Sequence, residues 1–585
     1  VFHLVSRSAD GVVVTALADG PALVAASSSA EGRGTLSDPG GVVEAPDLAS
    51  AMEIPALRPT RWVWDDTGSW YPKLLDAGIR VERSVDLRLS HAILRRSALA
   101  AGSELATAPP DAWDQGAPTE STGEGQPDGP ALFDFDLGER MPDLVDNGSD
   151  AARVIAEFRR QQDAVRSSPD PRRLRLLLAA ESAGALAAAE MQHAGLPWRA
   201  DIHDGVLREL LGPRPPLGAR PVLLEDLARR LRDALDDERL NPDSAADVLR
   251  SLRRAGLAVT STRSWELKKL EHPAIPLLLD YKKRSRLHTA NGWAWMDAWI
   301  REGRFHPDYV PGGVVSGRWA TRGGGALQLP KQLRCAVVAD PGWKLVVADA
   351  AQLEPRILAG LSEDPAMAAA GRGKDLYQGI VESGAVETRP QAKVAMLGAM
   401  YGATTGESAL LMPKLTRAYP KAIRLVEAAA RAGERGEAVS SRLGRTSPVP
   451  GEAWIEVQGR ASSAEATAAD ERRARSQARD WGRFTRNFVV QATAAEWALC
   501  WMAELRLRLL RLAEERGYER LESSPHLIYF LHDELMVHTP AQDADAVRLH
   551  IHEAARDAGR LLFGEFPVEF PVQSVIVDDY GQAKE

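Results

Sequence analysis

Lys344-Leu-Val-Val-Ala-Asp349-Ala-Ala-Gln-Leu-Glu354 is the stretch that decides the fold. The apolar run after Pro341-Gly342 reads as a short buried strand with Asp349 at its C-terminal end, where catalytic groups commonly sit beside loops. A carboxylate there has a second reading, the N-cap of the following helix. Far downstream, His526-Leu-Ile-Tyr-Phe530 and Leu535-Met-Val-His538 read as two strands of a hairpin, with His532, Asp533 and Glu534 at its tip. A turn accounts for Asp533 alone, but not for two adjacent carboxylates between strongly apolar strands. Mg²⁺ takes oxygen ligands and keeps positions open for substrate phosphate. Two such ions about 3.5–4 Å apart stabilise both the attacking and the leaving oxygen.

Between these segments lies Thr388-Arg-Pro-Gln-Ala-Lys-Val-Ala-Met-Leu-Gly-Ala-Met-Tyr-Gly402. Thr388 can cap a helix and Pro390 is tolerated in its first turn. Arg389, Lys393, Leu397 and Tyr401 are four apart, which puts them on one helix face. Cations followed by flatter groups suit a nucleoside triphosphate. The alternative is a solvated amphipathic face, weakened here because Leu397 and Tyr401 share it.

The three segments resemble motifs A, B and C of family A DNA polymerases, the bacterial DNA polymerase I type. Motif B of that family runs Arg, three residues, Lys, three residues, an aromatic and Gly, two residues, Tyr-Gly. This chain has Arg389, Lys393, Leu397-Gly398 and Tyr401-Gly402. Ser316-Gly317-Arg318 with Leu327-Gln328-Leu329-Pro330, Ser362-Glu-Asp-Pro365, Gly373-Lys-Asp375, and Arg483, Asn487 and Gln491-Ala-Thr-Ala-Ala495 are similar to flanking family segments. The resemblance covers roughly residues 175–585.

The resemblance implies an α+β multidomain fold, a right-hand polymerase of palm, fingers and thumb behind an N-terminal degenerate ribonuclease H-like exonuclease domain. The implied segments are 1–100 for that domain, 101–150 for an acidic Pro/Gly-rich linker or loop, and 151–204 for a helical connection. They continue with 205–295 for the thumb, 296–360 for the palm with motif A, 361–480 for the fingers with motif B, and 481–585 for the palm with motif C. It implies that Asp349 and Asp533 hold two Mg²⁺, for which Mn²⁺ can substitute, with Glu534 beside them. Lys393 and Arg389 would then neutralise the triphosphate. Gln352, Glu354, Tyr377, Leu397 and Tyr401 fall at the incoming nucleotide, with Glu354 where a ribose 2′-hydroxyl would go. Arg318, Gln328, Arg483, Asn487, Gln491 and His532 fall along the DNA, where minor-groove acceptors allow sequence-neutral readout. Lys268, Lys269, Lys282, Lys283, Arg284 and Arg286 of the thumb suit either duplex contact or a solubilising surface. The expected activity is template-directed addition of dNTPs to a primer 3′-hydroxyl in repair or gap filling. The competing readings are a polymerase with an active 3′–5′ exonuclease and a primer–template binder that no longer polymerises.

Departures from the family pattern cluster at the nucleotide. Leu397 replaces an aromatic, Ala350-Ala351 a Tyr-Ser pair, Pro355 a Leu, and Tyr377 a His. None removes a metal ligand, and weaker nucleotide binding with altered selectivity is expected. In the N-terminal segment, Leu75 to Leu94 resembles the second exonuclease motif, but its metal-binding Asp falls near Trp70, and Asp65 and Asp66 are out of register. No Asp-x-Glu occurs in residues 1–60 and no Tyr-x-x-x-Asp precedes Glu181-Ser182. The expectation is an exonuclease-like domain without activity. Its strands are expected at Val12-Val-Val-Thr15, paired with Ala22-Leu-Val-Ala25 across an Ala-Asp-Gly-Pro turn, and at Trp62-Val-Trp64. From Ala151 to Ile300 the pattern is helical, and thereafter strands and helices alternate.

The whole-chain numbers agree. At 585 residues several domains are expected, with no room for the family's 5′-nuclease domain. The formal net charge of -9 counts against coating nucleic acid through bulk charge but not against a local basic cleft. Cys335 and Cys500 alone give neither a disulfide framework nor a zinc site. With no apolar run long enough to cross a bilayer, a monomer without membrane contact is expected, cytoplasmic and nucleoid-associated. The first residue, Val1, suggests trimming or an alternative start.

Overall fold

The computed structural model of the chain describes residues 2–8, 11–17, 42–53, 61–114, 150–216, 218–402 and 406–584. The N-terminal part is a five-stranded mixed sheet. Its strands are β1 (Phe2–Ser8), β2 (Gly11–Leu17), β3 (Val42–Ala45), β4 (Arg61–Trp64) and β5 (Ser84–Asp86), in the spatial order β3-β2-β1-β4-β5. Trp62 to Trp64 forms a strand as expected. The Val12–Thr15 strand pairs with β1 from Arg7↔Val12 to Leu4↔Thr15, and on its other edge with β3. Ala22–Ala25, its expected partner, lies outside the described residues, as do residues 115–149 of the acidic linker expected over 101–150, whereas residues 101–114 carry the short helices Glu104–Thr107 and Ala112–Asp114 with Leu105 buried.

Two helices, α1 (Asp150–Arg166) and α2 (Pro171–Ala194), bind this sheet to the rest. Leu186 and Ala189 of α2 enter the same apolar cluster as Trp62, Trp64, Tyr71 and Leu74. At their far edge sits a buried polar knot. Arg506 is bonded to Glu190 through Nε at 3.1 Å and Nη2 at 2.8 Å, and Tyr71 donates to Glu190 at 2.6 Å. Such groups tolerate burial only when paired and hydrogen-bonded.

Residues 200–291 are helical and carry a core of their own, built from Leu231, Leu252, Leu267 and Leu278. The larger core surrounds a four-stranded antiparallel sheet, β6 (Trp343–Ala350), β7 (His526–Leu531), β8 (Glu534–Pro540) and β9 (Val572–Val577), ordered β7-β8-β6-β9. Central placement explains why Leu345 to Ala348 of β6 are all buried. Helices α2, α6 (Ala468–Arg516) and α7 (Ala544–Phe563) pack on this sheet, and α3 (Leu353–Ser362), α4 (Arg389–Tyr401) and α5 (Pro420–Glu434) pack on α6. The 49-residue α6 starts at a capping box between Thr467 and Asp470 and stops at left-handed Gly517. Its second half runs through the core with Trp497, Trp501 and Leu505 fully buried.

Candidate active site

The pairing of β6 with β8 sets Asp349 opposite Glu534, one residue past Asp533. The Ala350 amide donates to the Asp533 carbonyl at 2.8 Å, so the two aspartates stand on neighbouring chain segments at one sheet edge. The turn between β7 and β8 is a two-residue loop, His532-Asp533, closed by the Leu531↔Glu534 pair. His532 takes φ +57, a conformation unfavourable for a residue with a Cβ. Asp349 is not a helix N-cap, because α3 begins after Gln352, which has φ +49 and no side-chain cap bond. Glu534, expected at the hairpin tip, is the first residue of β8. Strand alternation turns it inward, where it is buried and accepts a hydrogen bond from the Tyr580 hydroxyl.

Electrostatics single out this corner. Asp533 reaches solvent at its mouth, yet loss of hydration and then the Asp349 charge push its carboxyl up to about 6, with Glu534 and Glu354 adding to the effect. Carboxylates that repel one another at such close quarters suit a divalent ion with oxygen ligands. Burial and the nearby Arg318 hold His532 down at about 4, so the ring is neutral near pH 7, and its Nδ1 has no hydrogen-bond partner among the described residues.

A cleft lined by Arg318, Glu354, Ala494, Ala495, His532 and Asp533 opens beside these carboxylates. Glu354 stands in the first turn of α3. Its carboxylate is gripped from both sides, by Arg318 Nη2 at 2.5 Å and by the Tyr401 hydroxyl at 2.6 Å. Gln491 of α6 adds a side-chain hydrogen bond to Tyr401. Two expected residues from separate segments, Arg318 and Tyr401, therefore converge on the carboxylate of a third.

The α4 row forms as its sequence suggests. Thr388 caps the helix by accepting from the Gln391 amide at 3.3 Å, and Gly402 ends it at φ +71. Arg389 pairs with Asp375 at 2.8 Å, and its guanidinium carbon lies 5.6 Å from the Tyr377 ring centroid. Burial pushes the Tyr377 hydroxyl up to about 12. Lys393 is exposed and makes no ion pair among the described residues, while Leu397 is half-buried against the main core. Gln352 does not face the cleft freely. Its amide donates to Asp375 at 3.1 Å and its oxygen accepts from the Leu376 amide at 3.3 Å. Asp375, absent from the expected site, is thus the hub of Gln352 and Arg389. Its signal in the sequence is its place as the N-cap of the helix Leu376–Glu382.

On α6, Arg483 is exposed and pairs with Asp480, Asn487 is buried with its Oδ1 lacking a hydrogen-bond partner among the described residues, and Gln491 is half-buried. Gln328 ends the short helix Ala326–Gln328, and its side chain lies outside the described residues. Of the six basic residues expected on the 200–291 unit, Lys268, Lys269, Lys283 and Arg286 are exposed. Lys282 donates to the Thr262 carbonyl at 2.7 Å and Arg284 to the Leu210 carbonyl at 2.5 Å.

Carboxylates of the N-terminal sheet are differently placed. Asp65 is paired with Arg7 at 2.7 Å and lies 3.8 Å from Arg153, which also binds Asp150 at 2.7 Å. Asp66 pairs with Arg88 at 3.2 Å. Asp86 is buried, capped by the Thr67 and Leu89 amides, and pushed up to about 6 by that burial. His91, Asp111 and Asp114 come close enough together to share a metal, but Arg160 holds Asp111 at 2.8 Å and Arg95 holds Asp114 at 3.0 Å.

The profile of DNA polymerase family A matches residues 238–581. The chain is 25% identical over 362 residues to the thermostable DNA polymerase I of Thermus aquaticus, covering 57% of this chain and 39% of that protein. It is 27% identical over 339 residues to DNA polymerase I of Chloroflexus aurantiacus, covering 53% and 33%. The matched stretch is thus well under half the length of these relatives. Among solved structures, the POL domain of Pol1 from M. smegmatis, in complex with DNA primer-template and dNTP, shares the fold at a TM-score of 0.56 and 18% identity, over 74% of this chain and 77% of that one. With its profile match spanning more than half of its length, the chain belongs to DNA polymerase family A.

Proposed function

We propose that the chain is a template-directed DNA polymerase that adds dNTPs to a primer 3′-hydroxyl, working in repair or gap filling. The observation that carries this reading is the pair Asp349 and Asp533, repelling each other on adjoining chain segments beside a cleft lined by Asp533, Glu354 and Arg318. These two carboxylates would hold Mg²⁺, or Mn²⁺ in its place. Bound there, the ions supply Lewis-acid stabilisation of the attacking and leaving oxygens. Lys393, with no ion pair among the described residues, meets the triphosphate, and Arg389 joins it by exchanging Asp375 for phosphate. Glu354, fixed by Arg318 and Tyr401, closes the space a ribose 2′-hydroxyl would need and so favours dNTP over NTP. Leu397 and Tyr377 border the same nucleotide. Arg483, Asn487, Gln491 and Gln328 lie along the primer–template, the first three on one face of α6, and His532, neutral and with an unpartnered nitrogen, faces the primer end.

In this reading, β6 to β9 with their covering helices are the palm (296–360 and 481–585), 361–480 the fingers, and 205–295 the thumb behind the 151–204 connection. The exposed Lys268, Lys269, Lys283 and Arg286 would then meet duplex phosphates. Glu534 supports β8 through Tyr580 rather than meeting substrate. The N-terminal domain does not proofread, because its clustered carboxylates are already neutralised by arginines and leave no open oxygen cage for two metals.

Primer extension on a recessed, labelled primer–template with Mg²⁺ tests both halves. Extension with dNTPs but not NTPs, and an intact primer when nucleotide is withheld, is the expected result. Primer shortening that survives Asp349→Ala would restore an active exonuclease. Binding without extension would leave a DNA-binding protein.

A further inference from the structure

Glu181 and Arg445 form the least accessible ion pair near the cleft, at 2.5 Å with side-chain exposures of 1% and 10%. They are 264 residues apart, and neither touches the cleft. Each leaves one buried atom without a hydrogen-bond partner among the described residues, Glu181 Oε1 and Arg445 Nε. Those two atoms face glycines of one turn. A Cβ on Gly312 would lie 2.7 Å from Glu181 Oε1, and a Cβ on Gly317 would lie 2.5 Å from Arg445 Nε. Both glycines have positive φ, +63 and +83. The turn closes on itself through Gly317 N to Val314 O at 2.7 Å and Val314 N to Arg318 O at 3.1 Å. Its next residue, Arg318, grips Glu354.

The loop that carries Arg445 is held from two directions. From α6, Glu496 accepts from the Leu443 amide at 2.9 Å and from the Ser441 hydroxyl, and Thr493 accepts from the Arg442 amide at 3.0 Å. From the N-terminal domain, the Ser97 hydroxyl donates to the Gly444 carbonyl at 2.7 Å and the Ala98 amide to Thr446 Oγ1 at 2.9 Å. Leu99 closes over Gly444, where a Cβ would lie 2.6 Å from its side chain.

We infer that the N-terminal domain is a mechanical support for sugar selection: through Ser97–Leu99 it seats the Arg445 loop on Glu181, and that pair fixes the 312–318 turn so that Arg318 holds Glu354 in place. Glu181, Arg445 and Ser97 are positioning residues, acting through packed and hydrogen-bonded contacts. The inference rests on the polymerase reading for its consequence but not for its mechanics.

Two measurements on the full chain separate these. Amide hydrogen exchange of residues 312–318 reads the support directly. In Glu181→Gln and in the milder Ser97→Ala it should speed up about tenfold or less, on the scale of a local coupling, and unchanged protection in both variants overturns the inference whether or not the chain polymerises. Single-turnover insertion of dNTP against NTP reads the consequence. Relative NTP insertion should rise several-fold in Glu181→Gln and less in Ser97→Ala, with no added effect in an Arg318→Ala background. Unchanged discrimination, in an assay that does respond to Glu354→Ala, contradicts it, as does full additivity with Arg318→Ala. A Glu181→Gln chain that does not fold leaves Ser97→Ala to decide. A wild-type chain that inserts no nucleotide defeats the polymerase reading instead.

Discussion

Leu397 is half-buried on the face of α4 that also carries Lys393 and Tyr401. An aliphatic group offers no ring for a base to stack on, and stacking on an aromatic contributes about 1–3 kcal/mol per base in other nucleic-acid sites. Leu397→Phe should therefore lower the dNTP KM by roughly tenfold with kcat little changed. An unchanged KM would show that this position does not meet the nucleotide. Glu354 has two clamps, so they can be tested separately. Tyr401→Phe removes one hydrogen bond to a charged acceptor, worth about 1.5–3 kcal/mol, and should raise NTP insertion while leaving dNTP insertion nearly intact. If dNTP and NTP insertion fall together, Tyr401 is serving the fold and not selection. Asp349 and Asp533 were legible in the sequence because each interrupts an apolar strand pattern. Glu181, Arg445 and Glu496 were not, since their partners lie 264 and 55 residues away and nothing local marks them, and Asp375 shows locally only as an N-cap.

Elements were read from local rules where local rules decide. Thr388 and Gly402 bound α4 as capping chemistry requires, and the β7–β8 hairpin follows from alternating apolar runs around a two-residue turn. Two turn signals flank the Val12–Thr15 strand, Asp10-Gly11 and the later Ala-Asp-Gly-Pro, and among the described residues this strand has Phe2–Ser8 on one edge and Val42–Ala45 on the other. Glu534 was misplaced by one residue, enough to exchange the cleft for the interior. One element has a titration consequence. Burial pushes Glu496 of α6 up to about 7, above its ordinary value of 4.5. The folded state then binds the proton more tightly than the unfolded one, so this group favours folding most below pH 4.5 and the advantage is lost as pH rises through 7. Thermal melts of Glu496→Gln should show less loss of Tm between pH 5 and 7 than the wild type. A parallel pair of pH profiles would mean that Glu496 is ionised throughout.

Across the whole molecule, the N-terminal sheet is joined to the remainder by α2, by the Arg445 loop and by the buried Arg506–Glu190–Tyr71 knot. Removing one member of a buried pair strands the other charge, at about 3–5 kcal/mol. Arg506→Ala should destabilise the chain by that amount in urea unfolding, and a loss below about 1 kcal/mol would mean that water reaches the knot. The family was legible in the sequence because motif order and spacing survive where identity has fallen to about a quarter. The junctions between domains were not, because they are made by side chains far apart in the chain. The central claim is that Asp349 and Asp533 together perform nucleotidyl transfer, and single-turnover incorporation of one dNTP with Mg²⁺ by wild type, Asp349→Asn and Asp533→Asn, alongside primer–template affinity, tests it most directly. The account predicts a loss of about three orders of magnitude or more in rate for each variant, the scale of losing a transition-state electrostatic contact, with DNA affinity within a few-fold of wild type. Incorporation that survives either substitution would contradict it.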